Sequence, residues 1–80
     1  MTLNKAFAMR VSSLLIKNSV SKYLLEKETG LTHSALRYIF NEVNKDVKFS
    51  TIVKVADFFG LTLTEFFDDE IFNIENLDVD

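Results

Sequence analysis

Residues 21–40 read SKYLLEKETGLTHSALRYIF, and this stretch decides the fold of the chain. Two short segments with apolar residues at helical spacing flank Gly30, one of only two glycines in the protein. A glycine at such a junction can adopt the left-handed backbone that ends one helix and lets the next begin. The stretch therefore predicts two short helices joined by a tight turn, the unit that can place a helix in the major groove of DNA.

The charge of the chain is divided between its two ends. Residues 1–56 contain all nine basic residues and four acidic ones, which gives +5. Residues 57–80 contain eight acidic residues and no basic one, which gives −8. The net charge of −3 therefore conceals a basic body, and the overall acidity does not exclude a nucleic-acid partner.

The composition limits what the protein can be. A chain of 80 residues, of which 48% are hydrophobic, is expected to form one small domain. It has no cysteine and a single histidine, so we expect no metal site. The sequence contains neither a supported pair of catalytic acids nor a glycine-rich phosphate loop, and we expect no enzyme activity and no cofactor. Because no long apolar run occurs, we expect a soluble, cytoplasmic protein.

The spacing of apolar residues and the absence of proline predict an all-α fold. Four helices are expected at residues 3–17, 22–28, 33–41 and 49 or 50 to 59. A short fifth helix should follow Thr62 or Thr64 and end at Phe66 and Phe67.

The predicted helix ends rest on residues with known capping preferences. Ser21 and Thr32 should be the N-caps of the second and third helices, because a hydroxyl can accept a hydrogen bond from an orphan backbone N–H. Gly30 and Gly60 should end the second and fourth helices.

The last part of the chain has a composition of its own. We predict a folded domain over residues 1–67 and an acidic C-terminal tail over residues 68–80, which could serve dimerisation or the binding of a partner. Phe72 and Ile74 alternate weakly with polar neighbours, which permits a short strand. A docked tail or a partner-binding segment fits the pattern equally well.

The third helix should have an apolar and a polar face. Leu36, Ile39 and Phe40 form the apolar stripe, and the polar face carries His33, Ser34, Arg37, Tyr38 and Asn41. An arginine can form two hydrogen bonds with guanine, worth roughly 1–3 kcal/mol of discrimination. Serine can serve several bases, and a histidine can donate to an acceptor edge, more strongly when it is protonated.

The residues between 10 and 67 resemble the Cro/repressor-type (lambda-repressor-like, Xre) helix-turn-helix family. Within the motif, the resemblance rests on Ser21, Tyr23, Leu25, Thr29, Gly30, Leu31, Leu36 and Ile39. Residues 51–67, TIVKVADFFGLTLTEFF, resemble the fourth and fifth helices of the family. A lone helix-turn-helix pattern is weak evidence, but the pattern followed by this segment is specific. The resemblance implies a compact five-helix lambda-repressor-like DNA-binding domain.

The resemblance also implies roles for individual residues. In the family, the positions that match Thr32, His33, Ser34 and Arg37 make most of the contacts to base edges. Contacts to the DNA backbone or to flanking bases are expected from Ser21, Lys22, Tyr38, Asn41, Lys45 and Lys48. Such contacts position a protein on DNA without reading its sequence.

Four positions depart from the family pattern, and one of them is Val47, where the family often has a proline just before the cap of the fourth helix. Glu26 stands where the family usually has a small alanine, and its carboxylate is expected to tilt outward toward Lys22 or Lys27. Lys48 stands where a serine or threonine cap usually precedes the fourth helix. Ile16 replaces a polar residue and should form an exposed apolar spot.

The leading hypothesis is a sequence-specific, double-stranded DNA-binding transcriptional regulator of bacterial, phage or mobile-element origin, acting in a repressor-like manner as a homodimer. Phe58, Phe66, Phe67 and the apolar residues of the tail are the expected dimer contacts. The alternative is a protein-interaction module of antitoxin or antirepressor type, in which residues 68–80 bind a protein partner. A third possibility is autoinhibition, with the acidic tail folded over the basic face.

Overall fold

A helical fold results from the apolar spacing described above. The computed structural model of the chain describes residues 1–40 and 47–78, apart from the side chains of Tyr38 and Ile39. The α-helices of the described part are, in chain order, α1 (Leu3–Asn18), α2 (Lys22–Thr29), α3 (His33–Phe40), α4 (Phe49–Phe58) and α5 (Leu63–Phe66). Two short 3-10 helices follow, at Glu70–Phe72 and Ile74–Asn76. The predicted all-α fold with five helices is confirmed.

The helices begin and end close to the predicted residues because the caps are local. The Ser21 hydroxyl accepts a hydrogen bond from the Leu24 N–H at 3.1 Å, and the Thr32 hydroxyl accepts one from the Ala35 N–H at 3.0 Å. Gly30 has a φ of 73°, in the left-handed region that glycine adopts without strain. The expected N-caps and the expected turn between α2 and α3 are therefore confirmed.

The core is built from all five helices. Its largest fully buried side chains include Phe7 and Val11 of α1, Leu25 of α2, Val55 of α4 and Phe66 of α5. Helix α3 contributes Leu36, and its last residue, Phe40, packs partly buried against the same cluster. Because α3 contacts α1 and α2 contacts α4, the helix-turn-helix unit lies on a base formed by the other helices.

The possible strand in the tail does not form, and the tail is docked instead. The Phe72 ring lies 4.9 Å from the Phe67 ring and 6.0 Å from the Phe66 ring, centroid to centroid. The Asp69 carboxylate accepts a hydrogen bond from the Ile71 N–H and thereby favours a tight turn over an extended chain. An isolated bridge joins Thr2 to Asp78, and no longer ladder occurs among the described residues.

One expected dimer contact is wrong. The Phe66 side chain is 0% exposed, since its ring packs against Phe7, Phe67 and Phe72, so it cannot contact a second copy. Phe67, in contrast, is 37% exposed, and Ile16 is exposed as expected. None of the helices in the described residues is long and apolar enough to span a membrane.

Arg10 joins the beginning of the chain to its end. Its Nε donates a hydrogen bond to the Phe66 carbonyl at 2.7 Å, and its Nη2 donates to the Glu65 carbonyl at 2.9 Å. Its Nη1 lies 3.6 Å from the Asp69 carboxylate, and its Cζ lies 5.7 Å from the centroid of the Phe66 ring. Arg10 therefore supplies side-chain donors to two carbonyls at the end of α5, of which the Glu65 carbonyl also accepts from the Asp68 N–H.

We expect Arg10→Lys to lower the free energy of unfolding by roughly 1.5–3 kcal/mol, because an ammonium cannot reproduce the fork of donors. Urea denaturation monitored by circular dichroism measures the change. Lys54→Ala, at an exposed position of α4, is the control and should stay within about 0.5 kcal/mol of the wild type. Equal stability of the two variants would contradict the role assigned to Arg10.

A capping box begins α5. The Thr62 hydroxyl accepts a hydrogen bond from the Glu65 N–H at 3.1 Å, and the Glu65 carboxylate accepts one from the Thr62 N–H at 2.9 Å. The hydrogen bond that the Glu65 carboxylate accepts from the Thr62 backbone N–H, followed by its hydrogen bonding with the Thr62 side chain, lowers the pKa of Glu65 below its usual value. The sequence left the start of the fifth helix open between Thr62 and Thr64, and the structure shows that Thr62 is the N-cap.

The lowered pKa predicts a pH dependence. A carboxyl group with a lower pKa in the folded than in the unfolded chain stabilises the fold above the unfolded pKa, about 4.3 for glutamate, and this stabilisation is lost as the pH falls through the folded pKa. We therefore expect the stability difference between the wild type and Glu65→Gln to be larger at pH 7 than at pH 2.5. Denaturation at both pH values measures it, and an unchanged difference would refute the prediction.

Candidate nucleic-acid interface

Helix α3 is held by one face and exposed on the other. Leu36 is buried and Phe40 is partly buried in the core, which fixes the rotation of the helix about its own axis. The four residues predicted to read bases all have exposed side chains: Thr32, His33, Ser34 and Arg37. The structure therefore brings these four residues together around the first two turns of one anchored helix.

The first turn of α3 carries positive electrostatic potential and therefore favours an anionic partner. Thr32 caps it, and the free backbone N–H groups of the first turn carry partial positive charge. No acidic residue lies within α3, and Arg37 adds a full positive charge in its second turn. Phosphate groups and the acceptor edges of bases are the partners that this end of the helix favours.

Lys22 lies beside α3 at the start of α2. Its ammonium group is 4.1 Å from the centroid of the Phe40 ring, a cation–π distance. The side chain is exposed, so the contact orients the ammonium without removing it from solvent. Ser21, one residue earlier, uses its hydroxyl oxygen to cap α2 and keeps its proton for another acceptor.

A cleft separates α2 from α3. It is lined by Lys22, Glu26, His33, Leu36, Arg37 and Phe40. Three side chains that are positive or can become positive thus surround one carboxylate. The cleft joins two of the basic residues predicted to contact DNA, Lys22 and Arg37, in a single surface.

The expectation for Glu26 is wrong. Its carboxylate faces neither Lys22 nor Lys27 in a described contact but lies 3.4 Å from Nδ1 of His33, measured from Oε2. The half-buried side chain projects across the Gly30 turn, and the imidazole at the start of α3 is the polar group it meets there. The sequence does not show this partner, because it depends on how the Gly30 turn brings positions seven residues apart together.

The residues predicted to contact the DNA backbone are described only in part. Lys48 is exposed and stands at the N-cap position of α4, where its side chain makes no cap hydrogen bond, although its carbonyl accepts from the Thr51 N–H at 3.0 Å. The Lys48 side chain therefore takes no part in capping α4. Asn41, Lys45 and the side chain of Tyr38 lie outside the described residues.

Within residues 1–40 and 47–78, no group of three or more His, Asp or Glu side chains is placed to hold a metal ion. The cleft between α2 and α3 is an open surface feature whose lining includes Lys22 and Arg37. Its donors suit phosphate and base edges better than a small enclosed substrate.

Comparison with known proteins gives one match. The family model for the Cro/C1-type HTH DNA-binding domain matches residues 10–70 of the 80. The matched segment contains α2, the Gly30 turn, α3, α4 and α5. No curated protein and no solved structure matches the chain.

Proposed function

The chain belongs to the family of Cro/C1-type HTH DNA-binding domains, and from this membership we propose that it is a sequence-specific, repressor-like transcriptional regulator. In this proposal α3 enters the major groove of double-stranded DNA. The observation that supports it best is the exposed set of Thr32, His33, Ser34 and Arg37 on a helix fixed to the core by Leu36 and Phe40. A rigid base is needed because base recognition depends on exact hydrogen-bond geometry.

The chemistry of the exposed side chains gives each a role in the proposal. Arg37 donates two hydrogen bonds to the O6 and N7 atoms of a guanine. Ser34 donates to or accepts from a neighbouring base. The Thr32 hydroxyl oxygen is engaged as the cap, and its proton remains free for a base or phosphate acceptor.

A second set of residues is proposed to hold the protein on the phosphate backbone. Lys22 contacts Phe40 of α3, Ser21 precedes it as the N-cap of α2, and Lys48 is exposed at the start of α4. Tyr38, Asn41 and Lys45 stay predictions from the sequence. These contacts fix the register of α3 in the groove and supply affinity that does not depend on the base sequence.

We propose a homodimer because one module of this size buries too little DNA surface for strong specificity. Two copies would place their α3 helices in successive major grooves, about 34 Å apart, on a palindromic site. Phe67 at the end of α5 is 37% exposed, so it can contribute apolar contacts to a second copy.

A salt titration tests the proposal. Affinity for a labelled duplex, measured by fluorescence anisotropy, should fall steeply between 50 and 200 mM salt, by about a thousandfold or more for six or more phosphate contacts. In the homodimer each substitution removes one phosphate contact per copy, so Lys22→Ala and Lys48→Ala should each lower the slope of log affinity against log salt by about two units. An affinity that does not depend on salt would overturn the phosphate contacts.

The alternative function is a protein-interaction module built on the same fold. The observation that favours it is Ile74 of the acidic tail, which is 84% exposed. Removal of the whole tail is a poor test, because Phe72 packs against Phe66 and Phe67. Absence of DNA binding by the full chain at 50 mM salt would favour this function over the first.

The contacts described for the tail bear on the proposed autoinhibition. Asp69 lies beside Arg10, Phe72 packs on α5, and the Asp78 N–H donates to the Met1 carbonyl. These contacts support a tail docked on α1 and α5 rather than one folded over α3. We retain the division into a DNA-binding domain (1–67) and a tail (68–80) as a proposal, together with a non-catalytic role in the cytoplasm, which fits a typically non-catalytic family.

A further inference from the structure

The pair formed by Glu26 and His33 connects the scaffold of the motif to its base-reading face. The Oε2 atom of Glu26 lies 3.4 Å from Nδ1 of His33. The carboxylate side chain is 34% exposed, whereas the imidazole is 77% exposed. The carboxylate is therefore the more buried member of the pair, and the imidazole is largely open to solvent, where DNA would lie.

The carboxylate decides which ring nitrogen of His33 carries the proton. An ionised carboxylate only accepts hydrogen bonds, so Nδ1 must be the donor in this pair. In the neutral ring the other nitrogen, Nε2, then carries a lone pair and only accepts. The hydrogen bond at one nitrogen thus sets the chemistry that the other nitrogen offers to a base.

We propose that Glu26 is a positioning residue that sets the tautomer of His33, so that His33 selects an adenine or a cytosine through Nε2. This inference rests on the proposed function. In the major groove, adenine and cytosine present amino groups, which donate to an acceptor, whereas guanine presents the acceptors N7 and O6. The neutral ring held by Glu26 therefore has the opposite preference to the donor role that the sequence indicated.

The neighbours of the pair do not supply an equivalent acceptor. Lys22 and Arg37 line the same cleft, and both are donors only. Arg37 is suited to a guanine and His33 to an amino-bearing base, so the two residues would read different bases of one half-site. Glu26, which stands where the family usually has alanine, thereby adds a base preference that an alanine at this position could not provide.

The tautomer can be tested on the protein without DNA. The chain has a single histidine, so its ring nitrogens give one unambiguous set of ¹⁵N NMR signals. At pH 8.5, where histidine rings are ordinarily neutral, we expect the Nδ1–H tautomer to predominate in the wild type and to lose this predominance in Glu26→Gln. Predominance of the Nε2–H tautomer in the wild type, or the same mixture in both proteins, would overturn the proposal.

The base preference is tested by selection from a random DNA library at the same pH. Wild-type protein should enrich adenine or cytosine at the position that His33→Ala leaves unselected. Glu26→Gln should reduce that preference roughly two- to tenfold at this position alone, the worth of one hydrogen bond. The matched control is Glu28→Gln, which removes the same charge from an exposed position of α2 and should keep the wild-type preference.

The outcomes separate the two proposals. Enrichment of guanine by the wild type at that position, or an unchanged preference in Glu26→Gln, overturns the role of Glu26 while DNA reading by α3 stands. Failure of every protein to enrich any site overturns the proposed function and, with it, base reading by His33. The NMR result then still shows whether Glu26 sets the tautomer.

Discussion

Replacing Arg37 and Ser34 together by alanine should remove most of the discrimination between a selected operator and a scrambled duplex. The lost contacts are a bidentate arginine pair, worth roughly 1–3 kcal/mol, and a serine hydrogen bond, worth roughly 0.5–1.5 kcal/mol. Together they correspond to about a ten- to thousandfold loss of specific affinity per half-site. Both side chains are exposed on α3, so thermal stability should change little.

Binding to both duplexes, measured by fluorescence anisotropy at one salt concentration, gives the ratio directly. The double variant Lys54→Ala with Thr64→Ala is a suitable control, since it also removes one basic and one hydroxyl side chain from exposed positions. It should keep the wild-type ratio of affinities. If the α3 variant kept that ratio as well, base reading by Arg37 and Ser34 would be wrong.

Phe66→Ala should be the most destabilising single substitution among those considered, with a loss of roughly 3–5 kcal/mol. The Phe66 ring is 0% exposed and lies 5.7 Å from the Phe7 ring, 5.3 Å from the Phe67 ring and 6.0 Å from the Phe72 ring. Its removal leaves a cavity where α1, α5 and the tail meet. A domain of this size is stable by only about 4–12 kcal/mol, so this loss removes a large part of its stability.

For that reason the series should include Phe66→Leu, which fills part of the cavity and should lose less stability than Phe66→Ala. Phe49→Ala is the matched control, because the same atoms are removed from a side chain that is 61% exposed. Urea denaturation should place the control within about 0.5 kcal/mol of the wild type. Equal losses at positions 66 and 49 would contradict the packing described for α5.

The helices could be predicted from the sequence because their signals are local. Ser21 and Thr32 cap helices that begin at the next residue, and Gly30 adopts the left-handed backbone expected of it. Each of these interactions joins residues only a few positions apart, so a short stretch of sequence is enough to predict the helix end. The polar face of α3 follows from helical periodicity in the same way.

The long-range contacts could not be predicted. Arg10 donates to carbonyls 55 and 56 residues away, and nothing near Arg10 in the sequence indicates that partner. From the sequence, Phe72 fits a short strand and a docked tail equally well. Only the positions of the Phe66 and Phe67 rings in the fold show that the tail is docked.

The partner of Glu26 was missed for a related reason. Two lysines lie on its own helix, and helical spacing made them the expected partners. The turn at Gly30 instead brings His33 to 3.4 Å from the carboxylate. Only the geometry of that turn decides which of Lys22, Lys27 and His33 contacts the Glu26 carboxylate.

The central claim is that α3 reads a DNA sequence, and the ratio of specific to non-specific affinity tests it most directly. Sites selected from a random library by the wild-type protein supply the specific duplex, and a scrambled duplex of the same composition supplies the reference. At physiological salt we expect binding to the selected site to be about a thousandfold or more tighter. A ratio near one, with folded protein, would contradict sequence-specific binding and with it the proposed regulatory function.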